Sequence, residues 1–416
     1  MSKKSHSIAL AFVILLVSVA VAKISTDASA KLEQAKSNIV SLVNGGNYAQ
    51  AKAQTQKLLA DFPKNPALPQ ALYEIAERYR WSDKSDKYEC AKGLYQQIIQ
   101  NYPDSPSASK ANLGIAKVKV LSLIVAQDFD GAEKALEELV ANFSKHPDLP
   151  EKLYWIGRGF GYWDGYEEEK GVYQRIIQNH PDSPFAVKAK LGISRAAVQS
   201  LIMSQDYDGA EKAFSKLVTD FKDHPDLHDA IYWIADRYAR SGKYEKANIL
   251  YQRIMQNYPD NSSAIDRAKL GLSMANAQSL IMLGKYDGAE EAIDRLIVDF
   301  AGHPDVAKVV RNIGLSYYAK ARLTNLEGDI EEGKVFYRKA IEVWERLIFE
   351  FPDSEVVPNA YFSSAVCYAQ ELGEYQKGID YFQKIVNNWP DFEDAQQAQL
   401  LIVEYRIKME NSKNEN

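Results

Sequence analysis

His146, His224 and His303 each stand directly before Pro-Asp in nearly the same phrase, so the first chemical question is whether they hold a metal. Their spacing argues against it. The intervals are 78 and 79 residues, and side chains placed one per repeat cannot converge on a single ion at coordination distances of about 2 Å. Each histidine is expected to serve its own turn, through hydrogen bonds to neighbouring carbonyls. Paired carboxylates such as Glu137 with Glu138, or the run Glu167 to Glu169, are neighbours in sequence on solvated faces and read as surface. No Gly-rich phosphate loop, HExxH, GxSxG or CxxC occurs. The reading therefore assigns no catalytic residue, no metal and no cofactor. Cys90 and Cys367 are the only cysteines, and several repeats separate them, which places them beyond the reach of a disulfide. Cys367, in the apolar stretch SSAVCYAQ, reads as a buried thiol.

What positions these residues is a repeat. Pro103, Pro181 and Pro259 close the phrases LYQQIIQNYPDS, VYQRIIQNHPDS and LYQRIMQNYPDN at intervals of 78 residues. Pro147, Pro225 and Pro304 lie in LEELVANFSKHPD, FSKLVTDFKDHPD and IDRLIVDFAGHPD, and they divide each period into 44 and 34 residues. A period of this size marks stacked supersecondary units that bury their apolar faces only against neighbours. Within a unit the apolar spacing is helical, as in Ala247, Tyr251, Ile254 and Tyr258, or Ala132, Leu136, Leu139 and Phe143.

Local chemistry marks the helix starts. Asp130, Asp208 and Asp287 precede Gly-Ala-Glu, with Glu133, Glu211 and Glu290 three residues on, an arrangement that predicts a capping box. Ser105-Pro106 and Ser183-Pro184 offer a cap residue followed by a proline at the first helical position. Closing prolines at 63, 103, 147, 181, 225, 259, 304, 352 and 390 predict nine hairpins, and a further helix from Phe392 to about Lys408 caps the last. The longer units accommodate about ten extra residues, read as roughly two extra turns on the first helix plus a longer exit turn. Residues 320–333 (KARLTNLEGDIEEG) either lengthen both helices of the eighth hairpin or form a local excursion. Gly114, Gly192 and Gly271 recur mid-helix, where each costs about 1 kcal/mol relative to Ala, and so predict close helix approach.

Aligned on its proline, the shorter unit presents Ile231, Ile234, Ala235, Tyr238, Ala247, Tyr251, Ile254 and Pro259. These resemble the tetratricopeptide consensus along its length, departing mainly at Ala235, where Gly is usual, and Ile254, where Ala is usual. The preceding short unit presents Leu153, Ile156, Gly157, Phe160, Tyr173, Ile176 and Pro181, with Glu169 in place of the expected small residue. The longer units keep Ala132, Ala210 and Ala289 at that position. The resemblance covers most of the chain and implies an all-α fold: an α-α superhelix, a right-handed tetratricopeptide-like solenoid running without a linker over residues 23–409, with 410–416 a frayed tail.

In that family the first helix of each hairpin lines a concave groove, and the fifth consensus position usually points into it. Here that position holds Tyr73, Tyr154 and Tyr232, with Phe362 in the last short unit. Neighbouring groove positions are Glu77, Arg158, Asp236, Trp81, Tyr162 and Arg240. Aromatics with Arg have the composition of binding hot spots. The same tyrosines could instead pack between helices, and Trp155 and Trp233, one position later, read as core. The chaperone-binding clamp of some family members uses Lys and Asn at the fifth and ninth positions, which Tyr, Glu, Arg and Asp occupy here; a chaperone-tail receptor is not expected.

At the N-terminus, Lys3 and Lys4 precede an apolar run from Ile8 to Ala22, ending Ala20-Val21-Ala22 before Lys23. This is the order of a secretory signal peptide over residues 1–22, cleaved after Ala22, with retention as an anchor the alternative. The run is short for a bilayer span, no second candidate occurs, and no cysteine at the cleavage point offers a lipid anchor. An exported chain is expected, periplasmic or extracellular. Losing two lysines and no acid moves the net charge from −6 to −8, which disfavours nucleic acid and anionic lipid as partners. The phrase YQxIIxNYPDS resembles bacterial periplasmic tetratricopeptide proteins, such as β-barrel assembly lipoproteins and Tol-Pal coordinators. The implied role is a non-enzymatic scaffold or adaptor holding a protein or extended peptide. The alternative is a glycan-active enzyme on a helical toroid. Leu400, Leu401, Ile402 and Tyr405 either cover the last hairpin or mediate oligomerisation.

Overall fold

The computed structural model describes residues 28–44, 47–79, 87–390, 392 and 394–414. The leader with its cleavage residue Ala22, and the groove candidate Trp81, lie outside the described residues. Among those described, every regular element is a helix. Nine hairpins follow in order: α1 (28–44) with α2 (Tyr48–Asp61), α3 (Leu68–Tyr79) with α4 (Lys87–Asn101), and α5 (Pro106–Val125) with α6 (Phe129–Phe143). Then come α7 (Leu149–Tyr162) with α8 (Tyr166–Asn179), α9 (Pro184–Met203) with α10 (Tyr207–Asp220), and α11 (Leu227–Arg240) with α12 (Tyr244–Asn257). The last three are α13 (Ser262–Met282) with α14 (Tyr286–Asp299), α15 (Val306–Leu326) with α16 (Ile330–Glu350), and α17 (Val357–Val366) with α18 (Tyr375–Asn388); a π-turn, Cys367–Glu371, extends α17. Helix α19 (Ala395–Asn414) follows the last hairpin and continues past Lys408, so most of the expected tail is helical.

The chain divides into two compact units, one ending at Leu149 and the other beginning at Pro150. In the first, apolar residues of α1 to α5 form one core. In the second, successive cores span α9 to α13, α13 to α17 and α17 to α19. At the end of the second unit, α19 buries Ala398, Ile402 and Tyr405 against the last hairpin, with Tyr405 stacked 5.7 Å from Tyr375, and leaves Leu400 exposed.

The extra residues of the longer units lengthen helices. Helices α5, α9 and α13 have 20, 20 and 21 residues, against 14 each for α7 and α11. Residues 320–333 likewise extend both α15 and α16 to 21 residues. In the seven hairpins from α5–α6 to α17–α18 the chain turns between the two helices through one left-handed residue: Gln127, Asp164, Gln205, Gly242, Gly284, Gly328 or Gly373. The second helix starts two residues later in every case, and this corrects the expected caps. Asp128 and Asp206 are the N-caps and accept from the Gly131 and Gly209 amides, while Lys285 occupies the cap of α14. Asp130, Asp208 and Asp287 fall in the first turn, where a carboxylate still favours the helix dipole. The Ser183 cap is as read, its hydroxyl accepting from the Phe185 amide.

The recurrent glycines mark where rings meet backbone. A Cβ at Gly114 would lie 2.7 Å from Tyr95 Cζ, and one at Gly271 would lie 2.6 Å from Tyr251 Cζ. Tyr173 is held on both sides: a Cβ at Gly157 would lie 2.6 Å from its Cε1, and one at Gly192 would lie 2.9 Å from its Cδ2. The short units α3–α4, α7–α8 and α11–α12 thereby each insert a tyrosine of the second helix against the long first helix that follows. In the second unit this couples α8 to α9 and α12 to α13 tightly. The His-Pro-Asp exits behave differently. Helix α14 barely touches α15, and cohesion there runs instead through the first helices, α9 with α11 and α13 with α15. The histidines fix these exits, but with amides where carbonyls were expected: Nδ1 of His146, His224 and His303 accepts the amide of Asp148, Asp226 and Asp305 at 3.1, 3.0 and 3.1 Å.

Candidate peptide-binding face

The candidate groove residues of the second unit lie on α7 and α11, with α9 between them. One side of α7 carries Tyr154, Trp155, Arg158 and Tyr162 at helical spacing, and the equivalent positions of α11 carry Tyr232, Trp233, Asp236 and Arg240. These two rows differ in a way that decides their chemistry. On α11, Arg240 Nε donates to Asp236 Oδ2 at 2.8 Å, one helical turn apart, so charge is satisfied within the helix. Burial raises the Asp236 carboxyl against the pull of Arg240 and Arg237. On α7 the corresponding pair is Arg158 and Tyr162, and no such partner exists within the row.

The expected lining is corrected for two tyrosines. Tyr73 and Tyr154 are 7% and 9% exposed and pack between helices, so they offer little contact area. Tyr73 meets Tyr95 at 5.7 Å, and Tyr154 stacks on Tyr173 at 5.6 Å and touches Phe185 at 5.7 Å. Tyr232 is half-buried, tilted against Tyr251 at 5.6 Å and covered by the Arg267 guanidinium at 4.2 Å; burial first, then Asp236, pushes its hydroxyl up to about 12. Phe362 is half-buried against Phe382 at 5.4 Å. What this face shows to solvent is Tyr162, 55% exposed, and Trp163, 37% exposed, their rings 5.8 Å apart with Arg240 6.0 Å from the Tyr162 ring. Trp155 and Trp233, read as core, are only half-buried, and the Arg158 guanidinium lies 5.9 and 5.3 Å from their rings.

Beneath this face lies a buried ion pair that sequence reasoning missed. Glu169 on α8 is fully buried and accepts from Arg195 on α9, itself 6% exposed. Burial raises the Glu169 carboxyl, opposed by Arg195 and Arg158. Glu169 stands at the position of Ala247 in the next short unit, and Arg195 at that of Met274. Room for the carboxylate comes from α7, where Gly157 and Gly161 replace Ala235 and Ala239; a Cβ at Gly161 would lie 2.6 Å from Glu169 Cδ. That exchange was the available signal: two Ala-to-Gly changes on one helix opposite one Ala-to-Glu change on its partner. In the first unit the buried cation is Lys117, which donates to Glu77 at 2.6 Å, while Tyr95 also donates to Glu77. Glu77 is thereby committed to an internal network. A cavity of about 20 Å³, room for about one water, is lined by Tyr154 and Arg158 of α7, Lys188, Leu191, Gly192 and Arg195 of α9, and Asp226, Asp229 and Ala230 at α11. Arg195 Nε, buried, has no partner there.

The Cys367 thiol is fully buried in the π-turn, and burial holds it well above its ordinary range. Among the described residues, no helix is long and apolar enough to cross a membrane.

Comparison with known proteins follows the same lines. The tetratricopeptide repeat family profile matches residues 39–65, 70–105, 229–261 and 359–391. Three of these segments coincide with short hairpins α3–α4, α11–α12 and α17–α18; the α7–α8 hairpin, with Glu169 at its small position, lies outside them. Among curated proteins, the photosystem I assembly protein Ycf3 of Prochlorococcus marinus is similar. The strain MIT 9215 protein is 27% identical and the strain MIT 9301 protein 26% identical, each over 120 residues, or 28% of this chain and 66% of the relative. The chain thus spans just under two thirds of the length of these relatives. Among solved structures, a tetratricopeptide repeat protein from Parabacteroides merdae is 15% identical, covering 75% of this chain and 98% of that one with a TM-score of 0.32. The human IFIT1 dimer with m7Gppp-AAAA is 15% identical, covering 83% and 79% with a TM-score of 0.38. Helical throughout the regular elements of its described residues, the chain carries tetratricopeptide repeats in matched segments that run from its first hairpin to its last.

Proposed function

We propose that this chain is a non-enzymatic exported scaffold that holds a protein or an extended peptide against the first-helix face of its repeats, in the organisation or assembly of the cell envelope. The observation that carries this reading is the face on α7 and α11. Tyr162 and Trp163 are open to solvent beside Arg158 and Arg240, and rigid aromatics with guanidinium groups give large contact area at low entropic cost. Tetratricopeptide repeats are protein- and peptide-binding modules, and the curated relatives are assembly proteins by name, which supports a role in bringing other proteins together. Export, to a periplasm or the cell exterior, rests on the leader sequence ending at Ala22 and on the periplasmic phrasing of the repeats.

The test is recovery of partners from envelope and cytosolic extracts by the immobilised chain and by a Tyr162→Ala/Trp163→Ala variant, which changes exposed rings only. A partner taken from the envelope fraction by the parent and lost by the variant is the expected result. Equal recovery by both would remove this face from the reading. Recovery from cytosol alone would remove the envelope.

A further inference from the structure

Resting on that reading, we infer that the face of α7, α9 and α11 recognises an acidic side chain within an extended peptide, with Arg158 as the group that receives it. Charge accounting on this face leaves one cation over. Arg195 pairs with Glu169, Arg237 with Asp164, Lys188 with Asp226 at 2.9 Å, Arg267 with Asp229 at 2.7 Å, and Arg240 with Asp236 at 2.8 Å. Arg158 has no carboxylate within ion-pair distance among the described residues, in a chain whose net charge is −6. Its row explains why: the residues one turn away on either side are Tyr154 and Tyr162, where α11 supplies an acid.

Packing holds this cation ready. The faces of Trp155 and Trp233 flank the guanidinium, which restricts its rotamers and shields it from water, so an incoming carboxylate meets a partly desolvated, oriented fork. Below it, Arg195, its charge met by Glu169, lines the same small cavity, so the floor brings no unpaired carboxylate to compete for Arg158. The cavity admits about one water and no side chain, so the acidic group sits on the face rather than in a hole. The surface continues past Arg158 to Tyr162 and Trp163 at the end of α7, which suits a chain that runs on beyond its acidic residue.

The probes are two pools of extended peptides with amidated C-termini, alike except for a central Asp or a central Asn, and a third with central Asn and a free C-terminal carboxylate. Binding to the full chain is followed by fluorescence anisotropy. The Asp pool is expected to bind about tenfold tighter than the amidated Asn pool, as a charge-assisted pair does, with the preference falling as salt rises. Arg158→Gln should abolish the preference, bringing the Asp and Asn pools to the same affinity for that variant, and Arg158→Lys should keep part of it. In the Gln variant Glu169 keeps its direct partner Arg195, so no buried carboxylate is left unpaired and the circular dichroism should match the parent. Equal binding of Asp and Asn pools would overturn the inference and leave the peptide face standing, as would a preference that survives Arg158→Gln. Preference for the free-carboxylate pool alone would also overturn it, in favour of a chain-end site. Binding of no pool would overturn both the inference and the peptide reading on which it rests.

Discussion

Replacing Gly192 by alanine should destabilise the protein, whereas the same change at Gly171, on the neighbouring helix, should stabilise it. Both glycines are helical, and in a helix interior alanine is favoured by about 1 kcal/mol. At Gly171 nothing lies within 4 Å of the added Cβ, so most of that gain is kept. At Gly192 the Cβ would come 2.9 Å from Tyr173 Cδ2, well inside the roughly 3.5–4.0 Å at which carbon atoms rest. The ring cannot withdraw, because the α7 backbone at Gly157 lies against its other side, and Tyr173 is fully buried. Overpacking of this kind costs about 1–3 kcal/mol, and it outweighs the propensity gain. A net loss of up to about 2 kcal/mol at Gly192 against a gain of up to about 1 kcal/mol at Gly171 separates the two melting points by up to roughly 5 °C for a unit of this size. Far-UV circular dichroism melts of the two variants and the parent, at one protein concentration, read this directly. A Gly192→Ala protein melting at or above the parent would refute the claim that close ring-to-backbone packing holds α8 and α9 together.

Glu169→Ala should destabilise by about 3–5 kcal/mol in urea unfolding, because it strands buried Arg195, whereas Glu169→Ala with Arg195→Met, which leaves no buried charge, should recover most of that loss while the space facing Gly157 and Gly161 stays unfilled. His224 should titrate below 6.5 by NMR: burial lowers its pKa against the pull of Asp226, and its Nδ1 must stay unprotonated to accept the Asp226 amide. A folded-state pKa below the unfolded one makes that contribution fully present above about pH 6.5 and lost as acid takes the pH down through the folded value; a midpoint at or above 6.5 would contradict the geometry.

The nine hairpins and the cap were legible in the sequence because proline spacing and helical period report on local structure, and both survive folding unchanged. Gly114, Gly192 and Gly271 were legible for the same reason, since a helix keeps a costly residue only where something presses on it. The caps were misplaced by two residues because Asp128 and Asp130 are chemically alike, and only the left-handed turn at Gln127 decides between them. The fifth-position tyrosines were equally ambiguous: whether Tyr154 faces a groove or a neighbour depends on Phe185 and Tyr173, far away in sequence. The division at Leu149 left no local mark, because the phrase preceding it recurs at 224–226 and 303–305 within the second unit.

The contrast between tyrosine-locked junctions and lightly joined exits has a consequence for how such a chain can change length. An insertion or deletion that starts and stops at corresponding His-Pro-Asp turns within the second unit removes or adds four helices and leaves every ring-on-glycine lock intact. One that starts at a Tyr-Pro-Asp or His-Pro-Asp-Ser turn after a short hairpin would part a tyrosine from its glycine seat. The smallest block that carries a whole ring-on-glycine lock is therefore the pair of hairpins rather than the single hairpin, and its length matches the 78-residue period of the sequence.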